Sequence, residues 1–358
     1  MDKRLLIGHR RERFRYELLN KREELLGELT TVSGGDLEFS LFTQIRSGGR
    51  VNIVEHEEID YLSDRIRIFY ELWDGSQWLR APMGIYLPAS PRRKTEGVLV
   101  EREVDVYDKT VILVQARVDN SWIVPSGSKI TDAVEECVRW AEGDKANISI
   151  TESDQTLLHD MIWPPGTPII QVINDLLSSI DYFPIWADEN GAFRAEPYIR
   201  PGDRSPVWEF TEGEESVHLK TIDQNIDFFN VPNVVILVSS GIGEEEEPLI
   251  SKVYNTDPNS PFSIPRRGRM IVDFREEEAA SQEVLDAKAE RIMQESLQII
   301  DTIEIQHPWL PIGINDAILV SNPSLGLNRV KFAVVRKEIP LKAGELTRTS
   351  ARRTVMTG

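Results

Sequence analysis

Cysteine is almost missing from this chain: Cys137 stands alone among 358 residues. Disulfides within the chain and cysteine-based zinc sites are excluded, and a reducing site of synthesis is the natural expectation. Cys137 falls on an apolar helical stripe, where a free cysteine acts as core filler and not as a nucleophile. Histidine is scarce and scattered: His9, His56, His159, His218 and His307 form no HxH or HxxxH pair. Each is expected as a surface or satisfied buried imidazole and not as a metal ligand. A G-x-S-x-G elbow, a GxxxxGK[ST] loop and an HExxH helix are all missing. Gly241-Ile242-Gly243 runs into glutamates with no third glycine before a helix, so it is no dinucleotide site. No catalytic, cofactor-binding or metal-binding residue is assigned, and no cofactor is expected. Long apolar runs are missing too. The opening MDKRLLIGHRRERFRYELL holds only a three-residue apolar patch, so neither a signal-peptide core nor a membrane-spanning segment is expected.

Positive charge is in short supply. The net charge is −18, unevenly spread. Residues 1–25 hold eight Lys/Arg against five Asp/Glu, and residues 329–353 hold eight against two, which leaves −27 on the remainder. An acidic body argues against gripping nucleic acid, because that affinity comes from cations displacing counterions. It is compatible with letting nucleic acid slide past, since carboxylates repel phosphate. The four glutamates Glu244–Glu247 are expected as a solvated tip and not as a calcium site, which needs oxygen ligands converging from spaced positions.

Most of the local order is concentrated between Gly166 and Tyr198, GTPIIQVINDLLSSIDYFPIWADENGAFRAEPY. Thr167 is a candidate helix cap and Pro168 suits a first turn. Ile169, Val172, Ile173, Leu176, Leu177 and Ile180 then form one apolar stripe about three turns long. A hairpin follows: Phe183, Ile185 and Ala187 alternate up to a turn at Asp188-Glu189-Asn190-Gly191, and Phe193 and Ala195 lead out to Pro197. The same opening occurs earlier, where Gly127-Ser128-Lys129-Ile130 precedes Ala133, Val134, Cys137 and Val138 at a constant offset of 39 residues. Two copies are too few for a solenoid. They predict two helices covering one small sheet in a middle domain at 111–204, an ordinary α+β packing unit.

On either side the pattern is β. Phe14, Tyr16 and Leu18 alternate, Asn20–Glu24 makes a polar turn, and Gly34-Gly35-Asp36 introduces Leu37, Phe39 and Leu41. Gly48-Gly49 is expected as a turn into Val51 and Ile53. Ile66 to Leu72, Trp78 to Tyr86 and Val98 to Val106 complete six or seven short antiparallel strands, a sandwich or barrel at 1–110. Pro82 favours an edge or strand end. From Val207 the β pattern resumes, with Val234–Val238 as its most apolar run. Tyr254–Arg269 reads as loop, and Ser281 opens a helix carrying Val284, Leu285, Lys288, Ala289, Ile292, Met293 and Ser296 on one face. Ile299, Ile303 and Ile305 form a strand, Gly313 and Asp316 lie in a turn feeding Ile318–Val320, and a further strand at Val330–Val335 precedes a basic tail.

This order of parts resembles the tail hub proteins of long-tailed bacteriophages, also called tail-associated or baseplate hub proteins. Three stretches carry the likeness: RFRYELLNKREELLGELTTVSGGDLEFSL, GTPIIQVINDLLSSIDYFPIWADENGAFRAEPY and SQEVLDAKAERIMQESLQIIDTIEIQHPWLPIGINDAILVSNP. The resemblance implies a mainly β fold with an α+β insert. Two tail-tube-like antiparallel β-barrel domains are expected, at 1–110 and 205–358, the second interrupted by a loop-helix insertion at about 254–294. It implies a homotrimer whose six barrels match a sixfold tail tube and adapt it to a threefold tip. Its partners would be the tail tube protein above and tip, spike or fibre proteins below. Tape-measure protein would fill the channel, and DNA would pass without specific binding. The expected location is the virion, at the tail tip or baseplate, after synthesis in the host cytoplasm. Gly127, Gly166, Pro168, Asp188, Gly191, Gly313 and Asp316 are singled out as structural residues and not as chemistry. Many such hubs continue into a wall-cleaving or fibre-like region, whereas this sequence ends at Gly358, so wall digestion is expected of another protein.

Two other readings compete. One is the hub of a non-viral contractile injection system, of the same fold. The other is a carbohydrate-active tail component acting on cell wall or capsule, since a glycosidase needs only a carboxylate pair and no sequence motif. The eight tryptophans are dispersed, which favours burial in cores or interfaces over a sugar-stacking platform.

Overall fold

The computed structural model describes residues 3–54, 59–96, 99–214, 216–239, 248–276, 282–296 and 298–356. His56, Val98, the Gly241–Glu247 tip and Ser281 lie outside the described residues. The chain divides into two compact units, one of residues 1–221 with 305–350, the other of 222–304 with 351–358.

The first unit opens with seven strands: β1 (Glu12–Leu19), β2 (Leu25–Glu28), β3 (Val32–Ser40), β4 (Ser47–Val54), β5 (Arg65–Trp73), β6 (Trp78–Glu96) and β7 (Leu99–Asp108). They pair antiparallel in the order β2-β1-β5-β6-β7-β4-β3. Alternation decides which side is core: Tyr16 and Leu18 on β1 and Ile66, Ile68, Tyr70 and Leu72 on β5 are buried. The expected strands are present, although β6 runs to 19 residues and is not short.

Two features of this sheet differ from expectation. Gly48 and Gly49 are not a turn; they lie inside β4, where Gly49 pairs with Leu37 and Gly35 pairs with Val51 across the ladder. A Cβ built on Gly35 would stand 2.1 Å from the Arg50 carbonyl oxygen, and one on Gly49 would stand 2.1 Å from that of Asp36. These glycines therefore allow β3 and β4 to approach closely. Pro82 is not at an edge. It sits within β6, between β5 and β7, opposite Phe69 where the register shifts. A bulge relieves the ladder of the missing N–H there.

A helical module follows, comprising α1 (Thr110–Gln115), β8 (Trp122–Val124), α2 (Ile130–Glu142), β9 (Ile148–Ile150), β10 (Met161–Trp163), α3 (Ile169–Ser178), β11 (Trp186–Ala187) and β12 (Phe193–Ala195). Its core is apolar throughout: Val134, Cys137 and Val138 of α2 meet Val172, Ile173, Leu176 and Leu177 of α3, with Ile185 and Phe193 from the hairpin. Thr167 does not cap α3. Pro168 holds the N-cap position, and the Thr167 hydroxyl donates to the Pro164 carbonyl at 2.7 Å, tightening the turn before the helix.

The chain then forms β13 (Pro206–Thr211), β14 (Ile222–Asp227), β15 (Val234–Ser239), β16 (Leu249–Tyr254), α4 (Ile264–Arg267), β17 (Val272–Glu276) and α5 (Gln282–Ser296). It ends with β18 (Gln298–His307), β19 (Ala317–Asn322), β20 (Leu327–Pro340) and β21 (Thr347–Met356). In the first unit β20 pairs with β3, from Arg336 opposite Ser40 to Pro340 opposite Asp36, so one ladder joins the early and late strands. β19 pairs antiparallel with β20, and β13 pairs parallel with β19. In the second unit β15 lies between antiparallel β16 and parallel β17, and Leu285, Ala289, Ile292 and Met293 of α5 pack on its Val235 and Leu237. The basic tail is not a free end: it forms β21, and Arg353 pairs with the fully buried Asp301 at 2.7 Å while Gln224 donates to the same carboxylate.

The fold is mainly β with an α+β insert. Among the described residues the hydrogen-bond ladder follows an open path.

Candidate functional site

The two stretches related by 39 residues prove to be the halves of a pseudo-twofold unit. Gly127 N–H donates to the Leu157 carbonyl at 2.8 Å, and Gly166 N–H donates to that of Val118 at 2.7 Å. Ile130 donates to Gln155 and Ile169 to Ala116. Lys129 bridges Thr156 as Pro168 bridges Arg117. Every one of these pairs maps onto its mate by the same offset, with the direction exchanged. β8 and β10 pair antiparallel about Ile123 opposite Ile162, equivalent positions of the two halves. Gly127 and Gly166, with φ of +84° and +88°, make the left-handed turn that starts each helix.

The Asp188–Gly191 turn has a separate task. The Asp188 carboxylate accepts from Asn190 N–H at 2.9 Å and Ala192 N–H at 2.8 Å, which closes the β11–β12 hairpin. Gly191, at φ +76°, lies so close to the β-sheet that a Cβ would come within 2.6 Å of the Ile85 Cδ1. Beside it, buried Lys109 donates to the Gly191 carbonyl at 2.9 Å and pairs with Glu23 at 2.6 Å and Glu142 at 2.9 Å. Arg65 reaches the same two carboxylates at 2.5 and 2.9 Å. Two cations and two anions thus interleave where the β1–β2 turn, β5, the end of β7, α2 and the hairpin meet, so each buried charge has opposite charges for neighbours. Nearby, Arg46 donates to the Pro184 carbonyl at 2.8 Å and lies 4.7 Å from the Trp186 ring centre; burial pulls its guanidinium down to about 10. Asp108 accepts from Ser47 N–H and Thr110 N–H, while burial pushes its carboxyl up.

Gly313 and Asp316 form a third device. Gly313 N–H donates to the Asp316 carboxylate at 2.6 Å, and Asn315 and Asp316 exchange backbone bonds with Val334, which sets the start of β19 against β20. Lys337 donates its ammonium to the Ile312 carbonyl, and burial draws it down to about 8. His307 is fully buried: Nδ1 donates to the Pro308 carbonyl at 2.6 Å and Nε2 accepts from the Thr349 hydroxyl at 2.8 Å. Desolvation holds this neutral imidazole down at about 3.

The seven residues singled out from the sequence therefore lie in three separate structural devices and do not converge on one reactive centre. The buried joint of Glu23, Arg65, Lys109 and Glu142 was not foreseen, because four single charges spread over 120 residues carry no local pattern. The only available sign was a lysine directly after Asp108, the last residue of β7, where a strand end is expected to be solvated. Among the described residues no group of three or more His, Cys, Asp or Glu is placed to hold a metal ion, and no helix is long and apolar enough to cross a membrane.

No family model and no curated protein matches the chain. Solved structures do. The 43 kDa tail protein of prophage MuSo2 from Shewanella oneidensis is similar at a TM-score of 0.64 and 12% identity, over 95% of this chain and 98% of that one. The tail protein from Neisseria meningitidis MC58 is similar at 0.62 and 12%, over 96% and 97%. A chain of the Francisella PdpA–VgrG complex is similar at 0.57 and 8%, over 97% of this chain and 53% of that one. The chain shares the fold of these two tail proteins over 95% and 96% of its length.

Proposed function

We propose, from a fold held in common with phage tail proteins over nearly its whole length, that this chain is a structural hub of a phage tail tip or baseplate. Three copies close into a ring, each contributing two tube-like β domains, at 1–110 and 205–358. The ring adapts a sixfold tube to a threefold tip. The module at 111–204 and the insertion at about 254–294 decorate its outside. Tail tube protein lies above and tip, spike or fibre proteins lie below. Tape-measure protein and then DNA leave through the central channel, and the chain resides in the virion after synthesis in the host cytoplasm.

The observation that carries this reading is the fold match to the Neisseria meningitidis tail protein and the prophage MuSo2 tail protein, of which this chain covers 97% and 98%. The acidic balance of the chain supports a passage that does not retain DNA. Immunogold labelling of particles tests this reading: label at the distal end of the tail is expected, and label confined to the head or spread along the tail would overturn it. Purified protein is expected to release no reducing ends from cell wall or capsule.

The likeness to a chain of the Francisella PdpA–VgrG complex favours a second reading, a hub of a non-viral contractile injection system. The genes beside this one separate the two: capsid and packaging genes belong with the first, effector and sheath genes without a capsid with the second.

A further inference from the structure

The face of β1, β5 and β6 turned away from their apolar core is built from arginine, aromatic rings and carboxylates in a fixed order. Glu71 of β5, 1% exposed, lies under two guanidiniums, Arg13 of β1 at 2.6 Å and Arg80 of β6 at 2.8 Å. Those arginines are 49% and 42% exposed. Glu17 of β1 is covered in the same way by Arg67 and Arg15, and Arg15 continues to Glu28 at 3.1 Å. Rings separate the cations: Arg13 lies 4.1 Å from the Trp78 ring centre, Arg80 lies 5.0 Å from that of Phe69, and Arg11 spans Trp73 and Trp78. Carboxylates at the bottom and guanidiniums on top present a positive, aromatic-rich surface on a chain of net charge −18. Locked arginine beside tryptophan is the composition of interface hot spots, because the side chains lose little freedom on docking.

The opposite surface is present on the same molecule. The outer side of α2 forms an open groove lined by Asp132, Glu135, Glu136, Asp144 and Glu152, with Trp140 45% exposed in it. Its one lining arginine, Arg139, is tied to Glu135 at 3.2 Å and to the Asp144 carbonyl at 2.9 Å, and Lys129 pairs with Asp132 at 3.4 Å and Glu152 at 2.6 Å, so the five carboxylates still outnumber the cations beside them.

We infer that the guanidinium face of β1, β5 and β6 is an assembly interface, and that its occupant is the acidic α2 groove of a second copy of this chain. The two patches differ, so the contact is head-to-tail and repeats around a closed ring. Charge complementarity selects the pair, since like faces repel. This rests on the tail-tip reading at one point: exposed guanidiniums around a DNA passage would hold phosphates, which turns this face away from the channel and toward protein.

Sedimentation velocity on the full chain tests it. Wild type is expected to self-associate at low salt and to dissociate as salt is raised. Glu136→Lys with Asp144→Lys changes only the groove and leaves the arginine network in place; its dissociation constant is expected to rise about tenfold or more. Arg11→Glu, on the other face and outside the Glu17 and Glu71 pairs, is expected to weaken association similarly. The three changes combined in one chain are expected to restore it. Oligomers that none of these variants disturbs would overturn the interface while leaving a tail-tip role standing, and a chain monomeric at low salt would overturn the interface as well. Retention of wild type on duplex DNA, lost in Arg11→Glu with the oligomer unchanged, would make the face a nucleic-acid surface and refute the assignment.

Discussion

The α+β module and the β body of the first unit hold together by different means. The module closes by repetition: two copies of one backbone pattern satisfy each other's polar groups across a pseudo-twofold, around one cluster of apolar side chains. The β body instead buries charged and polar groups, with Glu71 under two arginines, Lys337 on a lone carbonyl, and neutral His307 between a carbonyl and a hydroxyl. Shape and spacing are sufficient in the first case, so its halves diverge freely in sequence, as Cys137 opposite Leu176 shows. In the second case each buried group depends on particular partners. The two meet at the joint of Lys109, Arg65, Glu23 and Glu142, where an apolar module is fastened by charges.

That joint is where the contrast breaks most sharply. Lys109→Ala leaves two buried carboxylates to Arg65 alone and removes the donor to Gly191; a loss of about 3–5 kcal/mol is expected in denaturant unfolding. Within the module, Leu176→Ala is expected to cost about 2–5 kcal/mol through its cavity. The equivalent Cys137→Ala removes about one methylene's worth of packing and is expected to cost about 1 kcal/mol. Equal losses would deny that the two halves pack differently around a shared backbone. Gly127→Ala and Gly166→Ala sharpen the other side of the comparison. Both have left-handed φ and open space for a Cβ, so each is expected to lose about 1–2 kcal/mol, and the two losses should agree. Gly191→Ala adds a clash with Ile85 and is expected to exceed both.

Acid separates the regions without any substitution. His307 titrates near its ordinary value when unfolded and at about 3 when folded. Between those values the unfolded chain binds a proton that the folded chain refuses, so stability rises with pH in that window and falls as pH drops from about 6.5 toward 3. Deuterium uptake should therefore increase first around 305–350 on acidification and later in 116–177. The reverse order would contradict the assignment of buried charge to the body.

Much of this was legible in the sequence. Alternation at Phe14, Tyr16 and Leu18 located β1, the stripes of Ile130–Val138 and Ile169–Leu177 located both helices, and the offset of 39 was visible from glycine and isoleucine positions. Periodicity reports which face is buried, and burial drives these elements. It does not report what a glycine is for. Gly48-Gly49 has the composition of a turn, yet its task is to let β4 approach β3, a fact stored in the opposite strand. Pro82 misled for a related reason, since only the bulge opposite Phe69 makes a central proline tolerable. The joint was hidden because its charges come from four distant positions and act only once folded. Nothing local in the basic tail announces that Arg353 pairs with Asp301.

Cryo-electron microscopy of the intact particle tests the hub assignment most directly. The expected density is three copies of this chain around the axis at the distal end of the tail, with their β domains encircling a central passage. Density for this chain off that axis, or in a copy number that three does not divide, would contradict it.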